Sequence, residues 1–306
     1  MDGVLFDFCK SVFLRNPKIA RDLEEIDVLP PIWASAADEF QQEFHWISLK
    51  LFIDQDEAKY EFYVVRQFQR YTDYSFEHIL KLDPNYVGMY HVNLEDDSRD
   101  LLFTISRKEA LEKLLPFVLN PKTWTGELRI CKNEDVPRNV AALVISNPKI
   151  SNLVLHKNTE SMEDFLKLKL ETTPRMTLEL NGRLPWSQEI MDLLEEKLFS
   201  GHLAYLHMPS HRSTSYSRNS LSLVLKFISF YKETQGKIAF GVGFDDVEFQ
   251  NEELESHLQG FNVDKRECGC CCVYTLMMSG FENKLELHDY DIDDSSVRSL
   301  SVRVHK

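Results

Sequence analysis

The sequence predicts an α/β protein with a short helical head, a mixed middle and a C-terminal strand–helix array. Three patterns predict it. Apolar residues recur at helical spacing in residues 1–44, and they alternate at strand spacing from residue 45 to 69. From about residue 135, short strands of leucine-rich-repeat spacing recur, with amphipathic helical segments between them. The expected division is 1–44, 45–134 and 135–306.

In the head, Leu5, Phe8, Cys9 and Val12 recur at i, i+3, i+4 and i+7, lining one face of a first helix. ARDLEEI suits a short second helix. A third starts after Pro30-Pro31, since proline is tolerated in a first turn, and sets Trp33, Ala36, Ala37, Phe40 and Phe44 on one face.

In the middle, Ile47, Leu49, Leu51 and Ile53 alternate as half-buried strand residues do. The polar DQDEAK and then YEFYVVRQF complete a strand–turn–strand pattern, a β-hairpin. Ser106 with Glu109 three positions on forms a capping box, opening a helix whose buried stripe is Leu111, Leu114, Leu115 and Val118.

In the C-terminal part, Ile150-x-x-Leu153-x-Leu155-x-x-Asn158 fits the leucine-rich core L-x-x-L-x-L-x-x-N. Looser versions place central apolar residues at Leu178, Leu206, Phe240, Leu276 and Leu300. Ile190, Leu193, Leu194 and Leu198 line one intervening helix, with Gly201 at its C-terminal cap. Leu221, Val224, Leu225 and Ile228 line the next, closed by Gly236. The expectation is an irregular array with its strands side by side in one sheet.

Charge and cysteine usage narrow the function. The formal net charge is −14 and no long basic run interrupts it, so nucleic acid is not an expected partner. No apolar stretch approaches a membrane span, and Asp2, Asp7 and Lys10 break any secretory leader. Cys9 and Cys131 stand alone, while Cys268, Cys270, Cys271 and Cys272 crowd into CGCCC, which is no disulfide framework. An intracellular, cytoplasmic or nuclear location follows as the expectation.

Candidate chemistry is sparse. CGCCC lacks a second ligand pair for zinc, and CCVYTLMM reads as a buried strand holding Cys271 and Cys272. His207 and His211 have helical i, i+4 spacing, but Pro209 between them argues for a loop. That loop, 207–220, carries His207, His211, Arg212, Tyr216 and Arg218 and no acid, a candidate partner-binding loop on an acidic protein. DYDIDD at 289–294 fails the calcium-loop pattern, since Asp294 and Leu300 stand where Gly and Glu belong. The GVG at 241–243 lies inside an apolar strand. No catalytic motif, metal set or cofactor fingerprint is legible, so a non-catalytic interaction protein is expected.

The head helices followed by a leucine-rich-like half resemble an F-box protein, in particular the divergent F-box-related family expanded in nematodes. The residues carrying the likeness are MDGVLFDFCKSVF, the DVLPPIW segment, the hairpin and the repetitive tail. The resemblance implies an adapter: a three-helix head docks the linker subunit of a cullin-based (SCF-type) ubiquitin ligase, and the chain behind it captures a substrate protein. Leu5, Phe8 and Val12 would then belong to the first docking helix and Trp33 to the third. The other reading is a scaffold or binding protein whose head docks no ligase.

Overall fold

The computed structural model describes residues 2–15, 29–66, 69–99, 101–120, 124–131, 138–156, 159–181, 186–208, 216–234, 241–244, 258–268, 271–277, 284–291 and 298–305. The chain is mixed α/β and forms two compact units, Met1–Ile150 and Ser151–Lys306. No helix among the described residues is long and apolar enough to cross a membrane.

The first unit opens with helix α1 (Asp2–Arg15) and helix α2 (Pro31–Glu43). Pro31 at the first position of α2 has the fixed φ a helix start needs. The helices pack through Cys9, Phe13, Ala36, Ala37, Phe40 and Phe44, all buried. The segment expected to form the second helix, ARDLEEI, lies outside the described residues.

The sheet that follows has the order β6-β4-β1-β2-β3, built from β1 (His45–Ile53), β2 (Glu57–Arg66), β3 (Gln69–Tyr74), β4 (Val87–Leu94) and β6 (Trp124–Ile130). Strand β5 (Phe103–Ser106) pairs with the opening of β2. Strands β1 and β2 are antiparallel neighbours, whereas β1, β4 and β6 run parallel. The alternation read at Ile47, Leu49, Leu51 and Ile53 is realised, each of the four being buried. Registers align Phe62, Leu49, Val92 and Leu128 as one fully buried rung across four strands.

A short helix α3 (Phe76–Ile79) precedes β4. Helix α4 runs continuously through Arg107–Glu109, a wider π-type turn at Ala110–Leu114, and Leu115–Val118. The Ser106 hydroxyl accepts the Glu109 N–H at 3.1 Å, so half of the expected capping box forms, while the Glu109 carboxylate turns to Lys113. Ala110, Leu114, Leu115 and Val118 are its buried stripe, with Leu111 half-buried. Helix α5 (Arg138–Ser146) closes the unit.

In the second unit, strands β7 (Asn152–Leu155), β8 (Met176–Leu180), β9 (Leu203–Met208) and β10 (Gly241–Phe244) alternate with helices α6 (Glu160–Thr172), α7 (Gln188–Phe199) and α8 (Tyr216–Glu233). The strands are parallel and follow chain order across the sheet. Crossovers between parallel neighbours are right-handed as a rule, which for strands in chain order sets successive helices on one face. Consistently, α7 touches both of its sequence neighbours: Lys167 pairs with Glu189 at 2.9 Å and Lys226 with Glu195 at 2.6 Å. Ser187 caps α7 by accepting the Ile190 N–H, and Glu163 of α6 accepts the Ser187 N–H and hydroxyl at 2.9 and 2.6 Å. Gly201, at φ 80°, ends α7 in a left-handed turn: its N–H reaches Leu198 O and that of His202 reaches Lys197 O.

Among the described residues the strand–helix alternation stops at β10. Strands β11 (Asn262–Cys268), β12 (Cys271–Met277), β13 (Lys284–Asp291) and β14 (Arg298–His305) form an antiparallel meander, and β14 docks beside β10. The expected array therefore extends only to β10, because fewer than ten residues separate each later strand from the next, too few for a parallel crossover through a helix. All these strands still share one sheet, ordered β11-β12-β13-β14-β10-β9-β8-β7. Its buried rung is Leu153, Leu178, Leu206, Val242, Val302, Leu287 and Tyr274. The first three positions are those the repeat spacing marked. In β12 and β14 the rung residues Tyr274 and Val302 stand two places from the expected Leu276 and Leu300, and Leu287 of β13 was not marked; the expected Phe240 lies outside the described residues.

Candidate interaction surface

Helix α1 carries a wider apolar arc than one packing interface can cover. Cys9 and Phe13 are buried against α2, whereas Leu5 and Phe8 are 49% and 56% exposed. At ~100° per residue, the buried pair lies roughly a quarter turn from the Leu5–Phe8–Val12 stripe. Val12 and Trp33 are half-buried at the boundary. The Trp33 ring meets Phe8 edge-on at 6.3 Å and Phe13 edge-on at 5.8 Å, joining the exposed stripe to the core. The four residues the sequence singled out are thus brought together, with Leu5 and Phe8 facing solvent.

An ion-pair cluster holds this surface in place. The Lys10 ammonium pairs with Glu39 and, at 3.1 Å, with Glu43, and lies 5.3 Å from the centre of the Tyr86 ring. Burial works against its charge, but hydrogen bonds with Glu39, Tyr86 and Glu43 outweigh that and hold its pKa above the ordinary lysine value. Lys10 therefore stays charged and ties α1 to α2 beside the exposed stripe.

The expected loop of 207–220 is shorter than read, because helix α8 begins at Tyr216; Tyr216 and Arg218 stand in its first turn, and the helix continues to Glu233 without a proline. His211 and Arg212 lie outside the described residues. His207 is in β9, half-buried, its ring stacked 6.4 Å from Tyr205. Gly243 explains that pair: a β-carbon there would come within 2.8 Å of the Tyr205 hydroxyl and 3.0 Å of His207 Cδ2. The GVG segment thus makes room for two side chains of the neighbouring strand. Cys271 and Cys272 open β12, and the DYDIDD segment starts at the end of β13.

A second cluster escaped the sequence reading because its members are scattered along the chain. On the sheet face of the first unit opposite the buried rungs, registers align Tyr63, Ser48, His91 and Glu127 in one row and Glu61, Lys50, Asn93 and Arg129 in the next. The ladder shifts register at Tyr90 on both sides of β4, a bulge that sets His91 in line with Ser48 and Glu127. Gly126 permits it, since a β-carbon there would fall on the Tyr90 carbonyl. His91 Nδ1 lies 3.5 Å from Glu127 Oε1, which also accepts from Arg129 Nε. Burial raises the Glu127 carboxyl pKa, but the His91 and Arg129 hydrogen bonds outweigh it and keep it below its ordinary value. Tyr63 donates to Glu61, and the Lys50 ammonium lies 5.3 Å from the Tyr63 ring centre. Lys50 and Arg129 balance Glu61 and Glu127 in formal charge across the two rows, so the face presents oriented hydrogen-bonding groups with little net charge.

Among the described residues no group of three or more His, Cys, Asp or Glu side chains is placed to hold a metal ion. Compared with protein-family models, curated proteins and solved structures, the chain matches none.

Proposed function

We propose that this chain is a non-catalytic protein-interaction adapter that docks a protein partner through the exposed stripe of α1. The carrying observation is the exposure of Leu5 and Phe8 at 49% and 56%, on a helix whose Cys9 and Phe13 are buried. Two large apolar side chains at i, i+3 beside an aromatic anchor suit a docking hot spot. The resemblance of the head to an F-box names the partner, the linker subunit of a cullin-based ubiquitin ligase. In this reading the strand–helix repeats are leucine-rich-like and, with the segment after β9, serve capture of a substrate protein. The contributing residues there are His207, His211, Arg212, Tyr216 and Arg218.

A second reading, a scaffold with no ligase docking, is favoured by Gly3-Val4, which stands where an F-box opens with Leu-Pro. A pull-down with the purified linker subunit separates the two. Capture by the wild-type chain, lost in the Leu5→Ala/Phe8→Ala double variant, supports the adapter. Failure of the folded wild-type chain to bind sinks it and leaves the scaffold.

A further inference from the structure

We propose that Cys268 and Cys271 form a reversible dithiol–disulfide site in the β11–β12 hairpin, oxidised by low-molecular-weight disulfides of the oxidised-glutathione class. The ladder of β11 and β12 runs from Asn262 opposite Met277 to Cys268 opposite Cys271, its last rung. Only residues 269 and 270 separate these two cysteines. Residues directly opposite in an antiparallel ladder have α-carbons about 4.5–5.5 Å apart. A disulfide bridges α-carbons about 4.4–6.8 Å apart, so this rung lies within its α-carbon range. Opposite β-carbons stand about 4.5–5.5 Å apart and close by about 1 Å to reach the spacing a disulfide takes. The register also selects the pair: Cys272 stands opposite Glu267, and Cys271 and Cys272 are sequence neighbours, which a strand sends to opposite faces. Strand β11 ends the sheet order of the second unit, which places the hairpin at the sheet edge.

The exchange is balanced. One thiolate of the pair attacks a sulfur of the external disulfide, forming a mixed disulfide and expelling one thiolate. The second thiolate then attacks the protein sulfur and expels the other half of the reagent. Two protein thiols are oxidised to one disulfide, the reagent is reduced to two thiols, and the protons of the protein thiols pass to the departing thiolates.

The test uses the full reduced chain, equilibrated in glutathione buffers of increasing oxidised fraction, alkylated and mapped by peptide mass. The expected product is a single internal link between Cys268 and Cys271, unchanged in Cys270→Ser and Cys272→Ser and absent in Cys268→Ser and Cys271→Ser. In denaturant the same link should form at an equilibrium constant about tenfold lower, about 30 mV for a two-electron couple. A predominant link through Cys270 or Cys272, a persistent glutathione adduct without an internal link, or equal constants in native and denatured chains overturns the proposal. Because the readout is the link itself, it is independent of partner docking.

Discussion

Lys169 sits on α6 with its side chain inside the core of the second unit, 0% exposed. Burial disfavours the charged ammonium and lowers its pKa from 10.5 to about 8. Each pKa unit is worth about 1.4 kcal/mol, so keeping this charge in the core at pH 7 costs the fold about 3 kcal/mol. The sign follows from proton counts. Below pH 8 both folded and unfolded chains hold the proton and the full cost applies. Between about 8 and 10.5 the unfolded chain binds more protons, so stability rises with pH; above that window the cost is gone. Lys169→Met keeps the length of the side chain and removes the charge. It should remove this pH dependence, so that the stability of the variant relative to wild type falls by about 3 kcal/mol as pH rises from 7 past 10.5. Urea unfolding of both chains at several pH values reads this directly. A stability difference between the two chains that does not change with pH, or that grows in the variant's favour as pH rises, would refute the reasoning.

Other substitutions probe other parts of the account. Phe13→Ala empties a site that is 2% exposed and should cost about 3–5 kcal/mol in urea unfolding, whereas Phe8→Ala should cost under about 1 kcal/mol. Gly126→Ala drives a β-carbon into the Tyr90 carbonyl and should lower stability by about 3 kcal/mol; a neutral result in thermal melting would show that the β4 bulge is not fixed by this approach. Ser187→Ala removes the α7 cap together with the hydroxyl that Glu163 accepts, an expected loss of about 1–2 kcal/mol by chemical denaturation.

Local patterns were legible in the sequence where one periodicity dominated. The strand alternation of Ile47 to Ile53 and the stripe Ala36, Ala37, Phe40 and Phe44 are buried as their spacing implies. Leu153, Leu178 and Leu206 mark the rung of the second unit because each lies in a strand that opens a repeat of the same local design. That information fails in the meander: Val302 joins the rung by pairing with Val242 of β10, far earlier in the chain, and Tyr274 joins it through the hairpin register with Leu287, neither of which a repeat spacing encodes. In α1 the apolar arc gave no sign of which side would face α2, since Cys9 and Phe13 belong to it as fully as Leu5 and Phe8. The row of Ser48, His91 and Glu127 depends on a bulge and three strands from separate parts of the chain, so the sequence reading missed it.

The central claim is that the Leu5–Phe8 stripe serves binding rather than packing. Calorimetric titration of the purified full chain with the purified linker subunit of a cullin-based ligase tests it, with a thermal melt of each chain alongside. The account predicts measurable binding by the wild-type chain, weakened in Phe8→Ala by about 2 kcal/mol or more, roughly thirtyfold in Kd, while the melting temperature stays close to wild type. Equal affinity in the variant, or a lowered melting temperature that accounts for the lost binding, would contradict it.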